Sequence, residues 1–185
     1  MLPSPGKCME KTIMINIYKK GTESIPLIRS LSLRIWPEAY GNILSDAQIS
    51  YMLNLMYSDE ALETQINQKQ HQFILAFDDA DPLGFASYGI KSLSEPGVYR
   101  LHKLYVIPGL HGKGVGKKLL QFIADDILLK DAEKLELNVN RQNRAIQFYE
   151  KMGFHIIREE KIDIGKGFIM DDYVMETTPP GLFQS

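Results

Sequence analysis

The stretch HGKGVGKK, residues 111–118, sets three glycines among three lysines and a histidine. Residues of these types in this order can bind an anion. The first N–H groups of a helix have no intrahelical partner and sit at the positive end of the helix dipole, so they hold a phosphate wherever no side chain blocks its approach. Glycines remove the obstruction, and Lys113, Lys117 and Lys118 add charge at the rim. Spacing excludes two common phosphate loops. A nucleoside-triphosphate loop, G-x-x-x-x-G-K-[S/T], aligned on Gly116-Lys117 finds His111 where its first glycine belongs and Lys118 where Ser or Thr belongs. A dinucleotide fingerprint, G-x-G-x-x-G, started at Gly112 and Gly114 meets Lys117 in place of its third glycine.

Such a loop needs a strand ahead of it and a helix behind it. Residues 98–106, "VYRLHKLYV", have the composition of a strand that Pro108-Gly109 ends. Behind the loop, Val115, Leu119, Phe122, Ile123 and Ile127 recur on one helical face. Upstream, the pattern predicts a strand over 12–20, then a helix over 23–36 with Ile25, Ile28, Leu31 and Ile35 inward and Pro37 stopping it. A second helix follows the Ser45 cap, with Ile49, Met52, Leu53 and Met56 on one face, and a third runs over 59–69. The period then becomes extended over 72–77, 83–90 and 98–106, an antiparallel meander with turns at 78–82 and 94–97. Downstream come a strand over 134–139, a helix over 143–152 closed by Gly153, and strands 154–164 and 168–177 around the turn "GKG".

Composition bounds what this arrangement can serve. A chain of 185 residues suits one domain, read here as 12–178 between a loose opening, 1–11, and a loose tail, 179–185. A formal net charge of −2 gives no field that would draw nucleic acid or anionic lipid. No apolar run reaches the roughly 18 residues of a membrane span. The single Cys8 cannot form an intrachain disulfide, and a reducing cytoplasm fits best. No metal is expected.

The loop fits instead the pattern [Q/R]-x-x-G-x-[G/A], with Gly114 and Gly116 in place and His111 substituting for its first residue. "LNVNRQNRAIQFYEKMGF" follows it downstream. On these two stretches, in this order, the sequence resembles the GCN5-related N-acetyltransferase (GNAT) family over residues 13–175. The resemblance implies a single-domain α/β (α+β) fold: a mixed, mostly antiparallel sheet of six to seven strands flanked by helices, with a V-shaped splay between the fourth and fifth strands. It implies acetyl-CoA as cosubstrate, with the pyrophosphate on His111, Gly112, Lys113, Gly114, Val115, Gly116 and Lys117. The pantetheine arm would pair with backbone groups of Leu104, Tyr105 and Val106, and Asn138 and Asn143 would contact it, Asn143 also capping the helix that follows.

The activity implied is direct attack of an amine on the thioester through a tetrahedral intermediate. The Val106 N–H would stabilise the oxyanion, and Tyr149 would protonate, or donate a hydrogen bond to, the departing thiolate. His111 stands where the family has Gln or Arg, as a phosphate donor or as a shaper of the loop. For the base that deprotonates the acceptor, Glu136, Tyr88 and His102 are candidates beside a water chain ending on a carboxylate; Asn138 cannot serve. Trp36, Tyr40, Glu38, Tyr88, Asp171 and Asp172 are candidate acceptor contacts, and their aromatic and acidic character is similar to the polyamine-acetylating branch. The reading is therefore an N-acetyltransferase acting on a small primary amine, with a possible homodimer carried over from the family. Two alternatives stand beside it: acetylation of a peptide α-amine or lysine side chain, and a non-catalytic acetyl-CoA sensor.

Overall fold

The computed structural model describes residues 13–179. The opening read as 1–11 and the tail from 180 onward lie outside those residues, while Pro179, assigned above to the tail, is buried. Seven strands form one sheet in the order β1-β2-β3-β4-β5-β7-β6. They are β1 (Asn16–Lys20), β2 (Gln72–Asp78), β3 (Asp81–Ser92), β4 (Glu95–Val106), β5 (Lys134–Asn140), β6 (His155–Gly165) and β7 (Phe168–Thr177). Every neighbouring pair is antiparallel except β4 and β5. A parallel pair needs a long crossover. Helix α4 (Val115–Leu128) supplies it, so the glycine loop lies between the two parallel strands.

Helices α1 (Ile25–Tyr40), α2 (Asp46–Tyr57) and α3 (Asp59–Asn67) cover one face of the sheet; α4 and α5 (Ala145–Lys151) cover the other. The central strands bury both faces. In β2, Phe73 and Leu75 pack toward α1–α3, and Ile74 and Ala76 pack toward α4, which is why this segment reads as a continuous apolar run rather than an alternation. The stripe of α4 is equally tight, with Leu119, Leu120, Ile123 and Ile127 at 0% exposure. Truncating one of them, Leu119→Ala, removes about 2–5 kcal/mol.

The caps follow the sequence. Ser45 Oγ accepts from the Gln48 N–H at 3.2 Å and Ser58 Oγ from the Ala61 N–H at 3.3 Å, so a serine starts each of α2 and α3. Asn143 Oδ1 accepts from the Ala145 N–H at 2.8 Å, although α5 is shorter than its pattern suggests. One boundary differs in a way that matters for the site. Pro37 does not stop α1, which continues to Tyr40. A proline inside a helix deprives the carbonyl four residues earlier of its donor. Here that residue is Leu33; both it and Pro37 lie on the exposed face, where the carbonyl does not have to be desolvated. The extra turn carries Tyr40 to the middle of the sheet.

β4 and β5 stay together only from Val98/Lys134 to Leu101/Leu137. Immediately beyond, β4 carries a bulge: Tyr88 opposes Leu101, Ser87 opposes Lys103, and His102 drops out of register. A bulge bends its own strand and increases its twist. β4 then continues along β3 while β5 continues along β7, and the two parallel strands part. This is the V-shaped opening.

Candidate active site

The backbone groups inside the opening follow from ladder geometry. Bonded and non-bonded pairs alternate in antiparallel strands. Ile107 donates to Leu83 O at 2.9 Å, which makes Phe85/Tyr105 a bonded pair and leaves Ala86/Leu104 and Gly84/Val106 non-bonded. Leu104 and Val106 therefore turn their N–H and C=O groups toward β5. Tyr105, grouped with them on sequence, spends its backbone groups on β3. On the opposite wall, Arg141 donates to Asp171 O at 3.0 Å, so the same alternation turns the backbone of Asn138 and Asn140 toward β4.

The loop leaves β4 through two linked turns, with Leu110 N–H bonded to Ile107 O at 3.1 Å and Lys113 N–H to Leu110 O at 3.2 Å. Gly112 sits at the third position of the second turn with φ +79°, where a side chain is strained. Gly114, at φ +85°, is the N-cap of α4; a Cβ there would meet nothing within 4 Å, so the space before the helix end is open. The first intrahelical bond runs from Lys118 N–H to Gly114 O, and the Val115 and Gly116 N–H groups precede it. Gly116 serves packing instead, because a Cβ would lie 3.2 Å from Phe148 Cζ and hold α4 away from α5. His111, Gly112, Lys113 and Lys117 are exposed around the open end.

Tyr149 is 8% exposed and stands between Phe148 and Phe154, with ring centroids 5.3 and 5.6 Å away. Burial, then the neighbouring Tyr40, raises its phenol well above the usual range, which keeps it protonated and able to donate. Tyr40 arrives from the other face of the sheet. Its hydroxyl lies 3.2 Å from that of Tyr105, and burial is again the main cause of its raised pKa, with Asp172 adding to it while hydrogen bonds to Tyr105 and Asn143 oppose. Residues of the two faces thus meet through the gap between β4 and β5. Trp36 is 2% exposed and packs 4.6 Å from Tyr40 and 6.0 Å from Tyr105, supporting both rings from behind.

Asp172, on β7, lies across from Asn140 on β5 and from Glu160 on β6, on the α1 face of the sheet. It is 3% exposed. Burial raises its carboxyl to about 6; a hydrogen bond from Asn138 opposes, and the charges of Glu160 and Asp171 add to the rise. Asn138 Nδ2 also donates to Glu160 Oε2 at 2.7 Å, while its Oδ1 is buried without a partner. Among the described residues, no lysine or arginine forms an ion pair with Asp172.

Other sequence candidates lie elsewhere. Asp171 projects from the opposite face of β7 and pairs with Arg141 at 3.5 Å. Tyr88 faces α4, where its hydroxyl donates to Asp126 Oδ2 at 2.8 Å. His102 stacks on His71 at 3.7 Å between centroids; burial, then His71, lowers it to about 2. Glu136 is held by Lys91 at 3.1 Å and Arg100 at 3.3 Å. Glu38 is exposed. Sequence reasoning missed Glu160 and the Tyr105 phenol. Glu160 faces Asp172 because a register shift at 163/165, next to the hairpin turn, sets the pairing, and no residue type announces that shift.

Comparison with known proteins agrees with this geometry. The family described as "Acetyltransferase (GNAT) domain" matches residues 43–176. Spermidine N(1)-acetyltransferase of Thermoplasma acidophilum is 30% identical over 162 residues, 85% of this chain and 96% of that one. The crystal structure of PaiA N-acetyltransferase from the same organism, in complex with coenzyme A, superposes with a TM-score of 0.75 at 27% identity, over 90% of this chain and 99% of that one. Peptidyl-lysine N-acetyltransferase YjaB of Salmonella typhimurium is 40% identical over 67 residues, 35% of this chain and 43% of its own.

Proposed function

The chain belongs to the GNAT acetyltransferase family and is an acetyl-CoA-dependent N-acetyltransferase, and from that premise we propose that its acceptor is a small aliphatic primary amine of polyamine type. The observation that carries this reading is the acidic wall of the opening: Asp172 is buried without a cation among the described residues, and Glu160 stands across from it. A protonated amine supplies the missing positive charge, and the orphaned Asn138 Oδ1 supplies a further acceptor for its N–H groups. The name of the Thermoplasma relative supports the same class of acceptor.

The residues present fit the cosubstrate. Open space at Gly114 and the unpaired N–H groups of Val115 and Gly116 suit a pyrophosphate, and the outward backbone groups of Leu104 and Val106 suit the amides of an extended arm. When bound, acetyl-CoA supplies an activated thioester. The Val106 N–H then donates to the carbonyl oxygen as negative charge develops there. The Tyr149 hydroxyl donates its proton to the leaving sulfur, and Asn143 holds the start of α5 so that Tyr149 faces the gap. We propose that His111, Lys113 and Lys117 contact the phosphates from the rim and that the protein acts in the cytoplasm.

Free-thiol release from acetyl-CoA tests the reading across polyamines, amino acids, aminoglycosides and lysine peptides. Turnover is expected to be highest with polyamines. Preference for a peptide amine, by contrast, would assign the acidic wall to a lysine side chain or an α-amine and overturn the small-molecule acceptor.

A further inference from the structure

We infer that Asp172 is the base that takes the proton from the acceptor ammonium, an inference that rests on the amine-acetylation reading above. An ammonium nitrogen has no free electron pair, so one proton must leave before it attacks. The receiving group must lie at the opening, on the acceptor's side of the sheet, and be free of a cation. Asp172 meets each condition: it sits across from the last residue of β5, beside Tyr40, and among the described residues forms no ion pair. Four other buried or half-buried titratable groups fail. Glu136 is bound to Lys91 and Arg100 below the point where the strands part. Asp126 holds Lys19, Lys130 and Tyr88 at the α4 face. His102 is stacked on His71 at the bulge, and Lys103 is bonded to Gln65 beneath α3.

The surroundings of Asp172 tune it for proton transfer. Facing it are Tyr40 from α1, Asn138 from β5 and Glu160 from β6, with Asp171 beside it on β7; Arg141 is engaged with Glu159 and Asp171 instead. Burial first, and the two carboxylates second, bring its carboxyl to about 6, so at neutral pH it is ionised yet still a useful proton acceptor. The step balances. The ammonium gives one proton to Asp172, and the freed electron pair forms the C–N bond to the thioester carbonyl carbon as the carbonyl pair moves onto the oxygen at the Val106 N–H; return of that pair breaks the C–S bond. The sulfur takes the Tyr149 proton, the nitrogen's surplus proton restores Tyr149, and Asp172 releases its own to water.

The test is the pH profile of kcat/KM for whichever amine of the panel turns over fastest, with Asp172→Asn and Glu160→Gln alongside. For Asp172→Asn, kcat/KM should fall about 10²- to 10⁴-fold at pH 7 and the acid limb should vanish, while acetyl-CoA affinity, read from Trp36 fluorescence, stays unchanged. Trifluoroethylamine, already neutral at the assay pH, should suffer a much smaller loss, which a merely structural role would not produce. Glu160→Gln should move the acid limb to lower pH, because removing a neighbouring negative charge eases ionisation of Asp172. An Asp172→Asn enzyme within threefold of the parent and keeping its acid limb overturns the assignment, as does an unmoved limb in Glu160→Gln if the first variant fails to fold. If polyamines are poor acceptors but another amine shows these effects, the polyamine reading falls while Asp172 stands.

Discussion

Glu136 and Asp172 are carboxylates on the same face of one sheet, 4% and 3% exposed, yet they are in opposite electrostatic states. Glu136 lies where β4 and β5 are still bonded, directly across from Arg100, and collects Lys91 and, at 3.9 Å, Arg158 as well. Burial raises its carboxyl, but the hydrogen bonds from Lys91 and Arg100 outweigh it and hold the group below its ordinary value. Asp172 lies where the strands have parted. No register neighbour on β4 offers it a cation, and burial wins. A buried carboxylate is a structural clamp at the closed end of the V and a poised base at the open end, where the strands have parted and its neighbours are carboxylates rather than cations.

The largest expected effect comes from breaking the clamp. Glu136→Gln leaves two cations facing a neutral amide, and because they are 20% and 26% exposed the expected loss is about 2–4 kcal/mol, below the full figure for buried pairs. The sign with pH follows from the lowered pKa. The contribution of Glu136 is present above its ordinary value near 4.5 and is lost as the pH falls through the folded value, so urea melts of parent and variant should differ at pH 7 and converge toward pH 3. The acid limb of turnover should not move. Tyr149→Phe works at the open end and does the reverse. It removes one donor from a ring that keeps its contacts with Phe148 and Phe154, so kcat should fall about 10²-fold with the melting temperature nearly unchanged. An equal fall in stability would make Tyr149 a packing residue.

The closed end was far more legible in the sequence than the open end. Periodicity marks α4 and α2, serines announce the caps of α2 and α3, and a buried run marks β2, because each is a local consequence of what surrounds a few residues. The loop was legible too, since Gly112 and Gly114 answer backbone requirements no other residue meets as easily. The acceptor side was not. Tyr40 depends on a helix that continues through Pro37, and Glu160 depends on a register shift beside the hairpin turn. Asp171 and Asp172 look interchangeable in "MDDY", but the pleat sends one to Arg141 and the other to the opening.

A smaller effect reads the same contrast as stability. Asp172 has a folded pKa of about 6 against an ordinary 3.8, so the folded chain binds more protons than the unfolded one between those values. Stability therefore falls as the pH rises through that window, and the whole penalty is present above it. Asp172→Asn should be more stable than the parent by up to about 3 kcal/mol at pH 8 and nearly equal to it near pH 3.5. Opposite signs for Glu136→Gln and Asp172→Asn in the same urea melts would express the comparison directly; a destabilised Asp172→Asn at pH 8 would mean the carboxylate has a stabilising partner after all.

The smallest expected effect separates charge from hydrogen bonding at the open end. Tyr40→Phe keeps the ring on Trp36 but deletes the hydroxyl that meets Tyr105 at 3.2 Å, a loss of about 1 kcal/mol, or roughly fivefold in kcat/KM for the amine. Burial holds the Tyr40 phenol above its usual range, so it is neutral wherever the enzyme works. A neutral group removed from beside Asp172 takes no charge with it, and the acid limb should stay where the parent has it. Glu160→Gln takes a full charge and should move the limb. If Tyr40→Phe moves the limb as far, Asp172 is tuned through the hydroxyl network rather than by the carboxylate across the hairpin.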